Sequence, residues 1–307
     1  DAIETLEDPS IVRRLTEQVH EVLNRLERLQ KLGLTTVSAV GGPVTAQQGF
    51  QTTEVAPGLY SFGVGGVYNA FLVTDDGVIV MDSVSEDFAT ASLAAIREVT
   101  DQPIRYLAYS HNHYDHISGG DVFKAEGATI LAHETAADWL AEHPSPAVAM
   151  PDETWSGSES ALELGGRTVN LRYFGANHGE GMTVFEFPEE KTIFTVDLVV
   201  PERVAFTYMP DFFPAEWERT LAEMAELDFE QVRFAHNAAV GPASSVTDQL
   251  TYHQDLRGSV FAEFEAGTPF MEIPNTVSLP QYEDWMGYDE WLSMNVWRVL
   301  LEIAMGV

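Results

Sequence analysis

From Thr53 onward the chain runs twice through one order of elements, a strand meander followed by strand–helix alternation. That repetition limits the folds open to it. Leu59–Val64, Tyr68–Thr74 and Val78–Asp82 are β-rich runs parted by Gly or Asp-Gly turns, Asp76-Gly77 among them. Ser85–Thr100 reads as a helix with Leu93, Ile96 and Val99 on one face, and Ile104–Tyr109 as a short apolar strand. A helix at Asp121–Glu126, a strand at Ala128–His133 and a helix at Thr135–Glu142 follow, and Pro144–Ser160 reads as irregular. The second block begins at Ala161. It has strands at Thr168–Phe174, Met182–Phe187 and Thr192–Val196, a helix at Pro214–Glu226 and a strand at Gln231–Ala235. Two such blocks predict two β-sheets packed face to face with helices outside.

Both ends of the chain read as helical additions. Asp8–Leu34 carries Ile11, Val12, Leu15, Val19, Leu23, Leu26 and Leu29 at helical steps, and Thr35–Gln51, with Gly41-Gly42-Pro43, reads as a linker. Ser245–Ala266 and Asp289–Ile303 are expected helices at the other end. The expected organisation is therefore an N-terminal helix and linker over residues 1–50, a catalytic core over 51–245, and a C-terminal helical extension over 246–307. The extension is expected to pack on the core, cap the site entrance or form a homodimer surface.

Composition removes several functions. Acidic residues number 48 against 16 basic ones, a net charge of −32. A field of that sign repels nucleic acid and anionic membrane surfaces, so a small-molecule substrate is expected. No apolar run approaches the roughly 18 residues of a membrane span, which excludes helical membrane insertion. There is no cysteine, so thiol nucleophiles, disulfides and thiolate metal sites are absent and any metal must be held by His and carboxylates. Position 1 is Asp, and no basic n-region precedes an apolar h-region. Either a leader has been removed or the chain is a trimmed piece, and a periplasmic or secreted location is expected over a cytoplasmic one.

The segment Ser110-His111-Asn112-His113-Tyr114-Asp115-His116-Ile117-Ser118-Gly119-Gly120 carries the chemistry. It lies just past an apolar strand, where a loop can turn side chains over a sheet edge. Alternate residues of such a loop point the same way, so His111 and His113 can grip one metal while Asp115 and His116 face a second. Imidazole and carboxylate suit zinc, and also iron or manganese. Crowding of this kind beside Gly119-Gly120 serves no packing purpose. By contrast His20, His133, His143 and His253 read as surface or satisfied polar groups, although His133 also ends a strand and could support a site.

His111-x-His113-x-Asp115-His116 resembles the signature of the metallo-β-lactamase fold superfamily. Further candidate ligands follow in the family's order, each just past a strand: His178, Asp197 and His236. The resemblance covers about residues 50–245. It implies a four-layer αββα sandwich of two mixed β-sheets with outer helices. It also implies two Zn2+ ions, with iron or manganese as alternatives. His111, His113 and His178 would hold one, Asp115, His116 and His236 the other, and Asp197 would bridge them. The implied activity is hydrolysis of an ester, lactone or related acyl substrate by a metal-bridging hydroxide, with Asp115 orienting it or passing a proton. β-Lactam or sulfate-ester hydrolysis, an iron-dependent sulfur dioxygenase-like oxidoreductase, and a binding module that kept the fold are the competing readings. The runs Asn177-His178-Gly179 and Ala235-His236-Asn237 depart from the family's usual Thr and Gly neighbours, which alters the pocket wall without removing a ligand. Asn237, Asn112 and Tyr208 are candidates to hydrogen-bond a substrate oxygen. Phe206, Tyr208, Phe212 and Phe213 could line a hydrophobic pocket or simply pack.

Overall fold

Two mixed sheets face each other in the computed structural model, which describes residues 49–209 and 211–306. The chain divides into Asp1–Gln47 and Gln48–Val307, and the helix expected over Asp8–Leu34 lies outside the described residues. The first sheet has seven strands in sequence order: β1 (Gln51–Ala56), β2 (Leu59–Val64), β3 (Val67–Thr74), β4 (Gly77–Met81), β5 (Ile104–Ala108), β6 (Thr129–His133) and β7 (Glu153–Trp155). β1 to β4 form an antiparallel meander, and β4 to β7 run parallel. The second sheet holds β8 (Glu159–Leu164), β9 (Arg167–Tyr173), β10 (Thr183–Phe187), β11 (Thr192–Thr195), β12 (Gln231–Phe234) and β13 (Val240–Pro242). Only β11 and β12 pair in parallel there.

The pleat decides which layer each side chain enters. In β4 every residue is buried: Ile79 and Met81 face the second sheet, while Val78 and Val80 face the outer helices. The inter-sheet core joins Leu59, Leu72, Ile79 and Leu131 to Leu171, Phe185, Phe187 and Phe194. Truncating one of these to Ala costs about 2–5 kcal/mol. Outside the first sheet lie α1 (Glu86–Val99), α2 (Tyr114–Ile117), α3 (Asp121–Ala125) and α4 (Glu134–Glu142). In α1, the Ser85 hydroxyl caps the Phe88 N–H at 3.3 Å, and Glu86, Asp87 and Arg97 match the helix dipole. Outside the second sheet lie α5 (Pro214–Met224), α6 (Ser244–Glu265), α7 (Ile273–Thr276) and α8 (Tyr288–Met305). The four layers are αββα.

The C-terminal extension is not a separate body. Tyr252, Leu256 and Val260 of α6 and Val296, Val299 and Leu300 of α8 share one apolar cluster with Val184, Ile193, Val232 and Phe234 of the second sheet. The four edge strands, β1, β7, β8 and β13, have no counterpart in the sequence reading. β1, β7 and β13 are largely exposed, at sheet edges, so no apolar alternation marks them. The Pro144–Ser160 stretch, expected to be irregular, thus contributes the seventh strand of the first sheet.

Candidate metal centre

The strands deliver their C-terminal ends to one edge of the sandwich, and the candidate ligands gather there. β5 ends at Ala108, and the loop 109–113 brings His111 and His113 forward; α2 then presents Asp115 and His116. His178 sits between β9 and β10, Asp197 just past β11, and His236 just past β12. Asp197 (φ 59°) and Asp82 (φ 62°), like Asn237 (φ 69°), occupy the left-handed region, which Asp and Asn tolerate better than most residues. Such conformations persist where surrounding structure enforces them, often at functional sites.

The Asp197 carboxylate is the hub. Its Oδ2 lies 3.4 Å from His111 Nε2, 3.2 Å from His116 Nε2 and 3.1 Å from His178 Nε2, and its Oδ1 lies 2.9 Å from His236 Nε2. Two donor sets result. His111, His113, His178 and Asp197 form one, and His116, Asp197 and His236 the other, with atoms in each set within 4.8 Å of one another. Asp115 Oδ2 approaches His116 Nε2 at 3.6 Å, on the exposed side of the second set. His111 Nε2 is buried and has no hydrogen-bond partner among the described residues, which suits a metal ligand.

Hydrogen bonds hold the far ring nitrogens of His111 and His113, which fixes ring orientation, while carboxylates stand farther off those of His178 and His116. His111 Nδ1 meets Ser110 Oγ at 2.8 Å. His113 Nε2 is bonded to Asp211 Oδ2, leaving Nδ1 for the first set. His178 Nδ1 lies 3.6 Å from Asp211 Oδ1, and its ring stacks on Phe212 with centroids 3.5 Å apart. His116 Nδ1 lies 4.0 Å from Asp82 Oδ2, while Asp82 Oδ1 accepts the Ser110 N–H at 2.8 Å. Gly179 (φ 55°) closes the pocket wall: a Cβ there would stand 2.6 Å from Asn112 Oδ1 and 3.1 Å from His113 Nε2.

Electrostatics agree with a cation site. Burial pushes the pKa of His111 well down and also lowers that of His178, which favours the neutral imidazole a ligand needs; in His113 burial acts downward but Asp211 outweighs it and raises the pKa. In His116 burial acts downward too, but the carboxylates of Asp197 and Asp115 outweigh it and raise the pKa to about 10. Burial alone would raise Asp197, yet His116 and His236 hold it well below the usual carboxylate range. The site thus concentrates negative charge that a divalent cation would neutralise in place of a protonated imidazole. The donor set fits divalent metal.

The family model of the metallo-beta-lactamase superfamily matches residues 63–236. The chain belongs to that superfamily. It is 29% identical over 196 residues to the 2,4-dinitroanisole O-demethylase subunit alpha of Nocardioides sp. (strain JS1661), an overlap of 62% of this chain. The overlap spans 60% of that curated relative's length. Among solved structures, a metallo-beta-lactamase from Pontibacter korlensis aligns with a TM-score of 0.60 at 18% identity, covering 67% of this chain and 99% of that one. The stereoselective inverting sec-alkylsulfatase Pisa1 from Pseudomonas sp. aligns with a TM-score of 0.68 at 17% identity, covering 84% of this chain and 50% of that one. At such identities these structures establish the shared fold.

The remaining sequence candidates fare unevenly. Asn112 is buried, and its Oδ1 accepts the Glu180 N–H at 2.7 Å, which pins the loop after His178. Asn237 donates from Nδ2 to the Pro201 carbonyl at 2.7 Å. Tyr208 is 56% exposed, on the loop that carries Asp211. Phe212 packs on His178, Phe213 is partly exposed, and Phe206 meets Trp291 edge to face. Of the other histidines, His133 bonds Thr135 and Gly157 and stacks on Tyr173, His143 caps α4, and His253 is buried in α6. Sequence reasoning missed Asp82 and Asp211. Asp82 ends an apolar strand just as Asp197 does, a signal that was available; Asp211 sits in an aromatic loop with no local mark.

Proposed function

We propose that the protein is a metal-dependent hydrolase that cleaves a small neutral or apolar ester, lactone or related acyl substrate at a two-cation centre. The observation that supports this reading most is the Asp197 carboxylate, which lies within 3.4 Å of histidines from both donor sets. His111, His113 and His178 would hold one cation, Asp115, His116 and His236 the other, with Asp197 shared. Zinc held there would supply an acidified water, its pKa roughly 7, and a Lewis acid for the substrate oxygen.

The chain's own residues supply the rest. Asp115, its side chain 63% exposed, stands where a carboxylate can accept the proton that the attacking water loses and pass it to solvent or the leaving group. Asp211 and Asp82 keep the ligand rings aimed. The exposed Tyr208 and Phe213 edge the approach with aromatic surface, which suits an apolar substrate. Tyr208 Oη is a free-standing donor for the substrate's oxygen.

A second reading is cleavage of an activated aryl methyl ether. The curated relative named a 2,4-dinitroanisole O-demethylase subunit favours it.

The deciding experiment strips metal with a chelator and restores zinc, iron or manganese. A panel of lactones, aryl esters, thioesters, β-lactams, sulfate esters and 2,4-dinitroanisole then reports turnover. Acyl hydrolysis should vanish on stripping and return at two zinc ions per chain. Turnover indifferent to metal overturns the reading; restoration by iron alone, with oxygen uptake, transfers the protein to the oxidoreductases.

A further inference from the structure

The loop 205–212 brings Asp211 and Phe212 to the first donor set, and it does so in a conformation it would not keep unaided. Thr207 (φ 46°) and Met209 (φ 45°) both stand in the left-handed region, unfavourable for a β-branched residue and a long side chain. Within the loop, the Met209 N–H donates to the Phe206 carbonyl at 3.0 Å and the Phe212 N–H to the Met209 carbonyl at 3.2 Å.

The remaining restraint comes from α8. Asn295 is fully buried, and its Nδ2 donates to the Ala205 carbonyl at 2.9 Å and the Thr207 carbonyl at 2.7 Å. Two carbonyls require the amide nitrogen on that side, so Oδ1 faces the Tyr252 hydroxyl of α6, which donates to it at 2.5 Å. One turn on, Arg298 donates from Nε to the Met209 carbonyl at 3.2 Å and from Nη2 to the Phe212 carbonyl at 2.5 Å. Both left-handed residues therefore have their carbonyls captured from one helix face.

At its far end the same loop grips the first donor set. Asp211 bonds His113, its carbonyl accepts the Gly179 N–H at 3.3 Å, and the Phe213 N–H donates to the Asn177 carbonyl at 3.0 Å. Phe212 lies flat on His178. The second set takes its support elsewhere, His116 beside Asp82 and His236 bridged to Val67 of the first sheet. The family match ends at His236, so α6 and α8 lie outside it.

We propose that Asn295 and Arg298 of the C-terminal helix are positioning residues for the first cation, acting through the carbonyls of loop 205–212 to hold Asp211 against His113 and Phe212 against His178. The proposal rests on reading these histidines as a metal centre. It makes the C-terminal extension a working part of one half of that centre and not of the other.

The test is zinc affinity by chelator competition on the full chain, with Co2+ spectra reporting the coordination of each ion. Asn295→Asp replaces the donating amide by an acceptor facing two carbonyls, and Arg298→Met keeps the side-chain volume without donors. Each should weaken one zinc about 10–100-fold, the usual effect of losing an orienting partner, and leave the other within about twofold. Asp211→Asn should weaken the same zinc, and Asp211→Asn combined with Arg298→Met should be little worse than either alone, because both act on one contact. Val299→Ala, in the same helix and equally buried but packed in the apolar cluster, should lower Tm while both zinc affinities stay unchanged. If Asn295→Asp does not fold, Arg298→Met decides the matter. Folded variants that bind both zincs as the wild type does overturn the proposal alone, as does equal weakening of both sites or an effect of Val299→Ala matching theirs. A wild-type protein that takes up no zinc overturns the metal-centre reading and this inference together.

Discussion

The two donor sets share Asp197 but are built differently. The second, around His116 and His236, hangs on short connections from α2 and β12, and its outer carboxylate, Asp115, faces solvent. The first, around His111, His113 and His178, is backed by a column of rings running from His178 through Phe212 and Trp217 to His253 of α6. One half depends on sheet ends that the fold provides anyway. The other depends on a strained loop and on helices added after the last ligand. The lesson is that a symmetric-looking ligand list can conceal two sites of unequal robustness.

The most severe challenge to this contrast is to remove what the halves share. Asp197→Asn keeps the left-handed backbone, which Asn also tolerates, but removes the charge. Both metal affinities should fall by more than the roughly 100-fold typical of a lost orienting partner. Retention of either metal, by elemental analysis, would break the hub assignment. Next come the one-sided changes: Asp211→Asn should weaken the first ion about 10–100-fold and spare the second, and Asp115→Ala should do the reverse. Chelator titrations that show both ions weakening together in either variant would erase the distinction between the sets.

Acid should weaken the ring column behind the first set. Burial drives the pKa of His253 from 6.5 down to about 3, so between those values the unfolded chain binds a proton that the folded chain refuses. The stability that this neutral ring allows is complete above about pH 6.5 and is lost progressively as pH falls towards 3. Tm measured from pH 7 to 4.5 should fall less steeply in His253→Gln than in the wild type. Parallel curves would show that the ring column is not acid-sensitive. The smallest effect on metal is expected at Arg233, on the strand that leads to His236. Its guanidinium is buried, all three nitrogens lack hydrogen-bond partners among the described residues, and desolvation lowers its pKa to about 10. Arg233→Met should raise stability by roughly 1–4 kcal/mol while leaving both metal affinities unchanged, as denaturant unfolding and zinc titration would report.

Much of this was legible in sequence because the physics involved is local. The run from His111 to His116, the strand ends at Asp197 and His236, and the apolar alternation of β2 to β6 are short-range patterns. The edge strands β1, β7 and β13 were hidden because exposed strands need no apolar face. Which end of the Asn112 and Asn237 amides is bonded to backbone, Oδ1 in the one and Nδ2 in the other, is visible only in the folded chain.

The sequence by itself determined the layer order, the ligand types and the exclusion of thiolate chemistry, since residue identity and periodicity carry those directly. Tertiary structure alone decided that Asn295 and Arg298 bond the loop that carries Asp211 to His113. They reach it through its carbonyls, from a segment far along the chain, and no spacing rule encodes which distant backbone oxygens a buried amide will find.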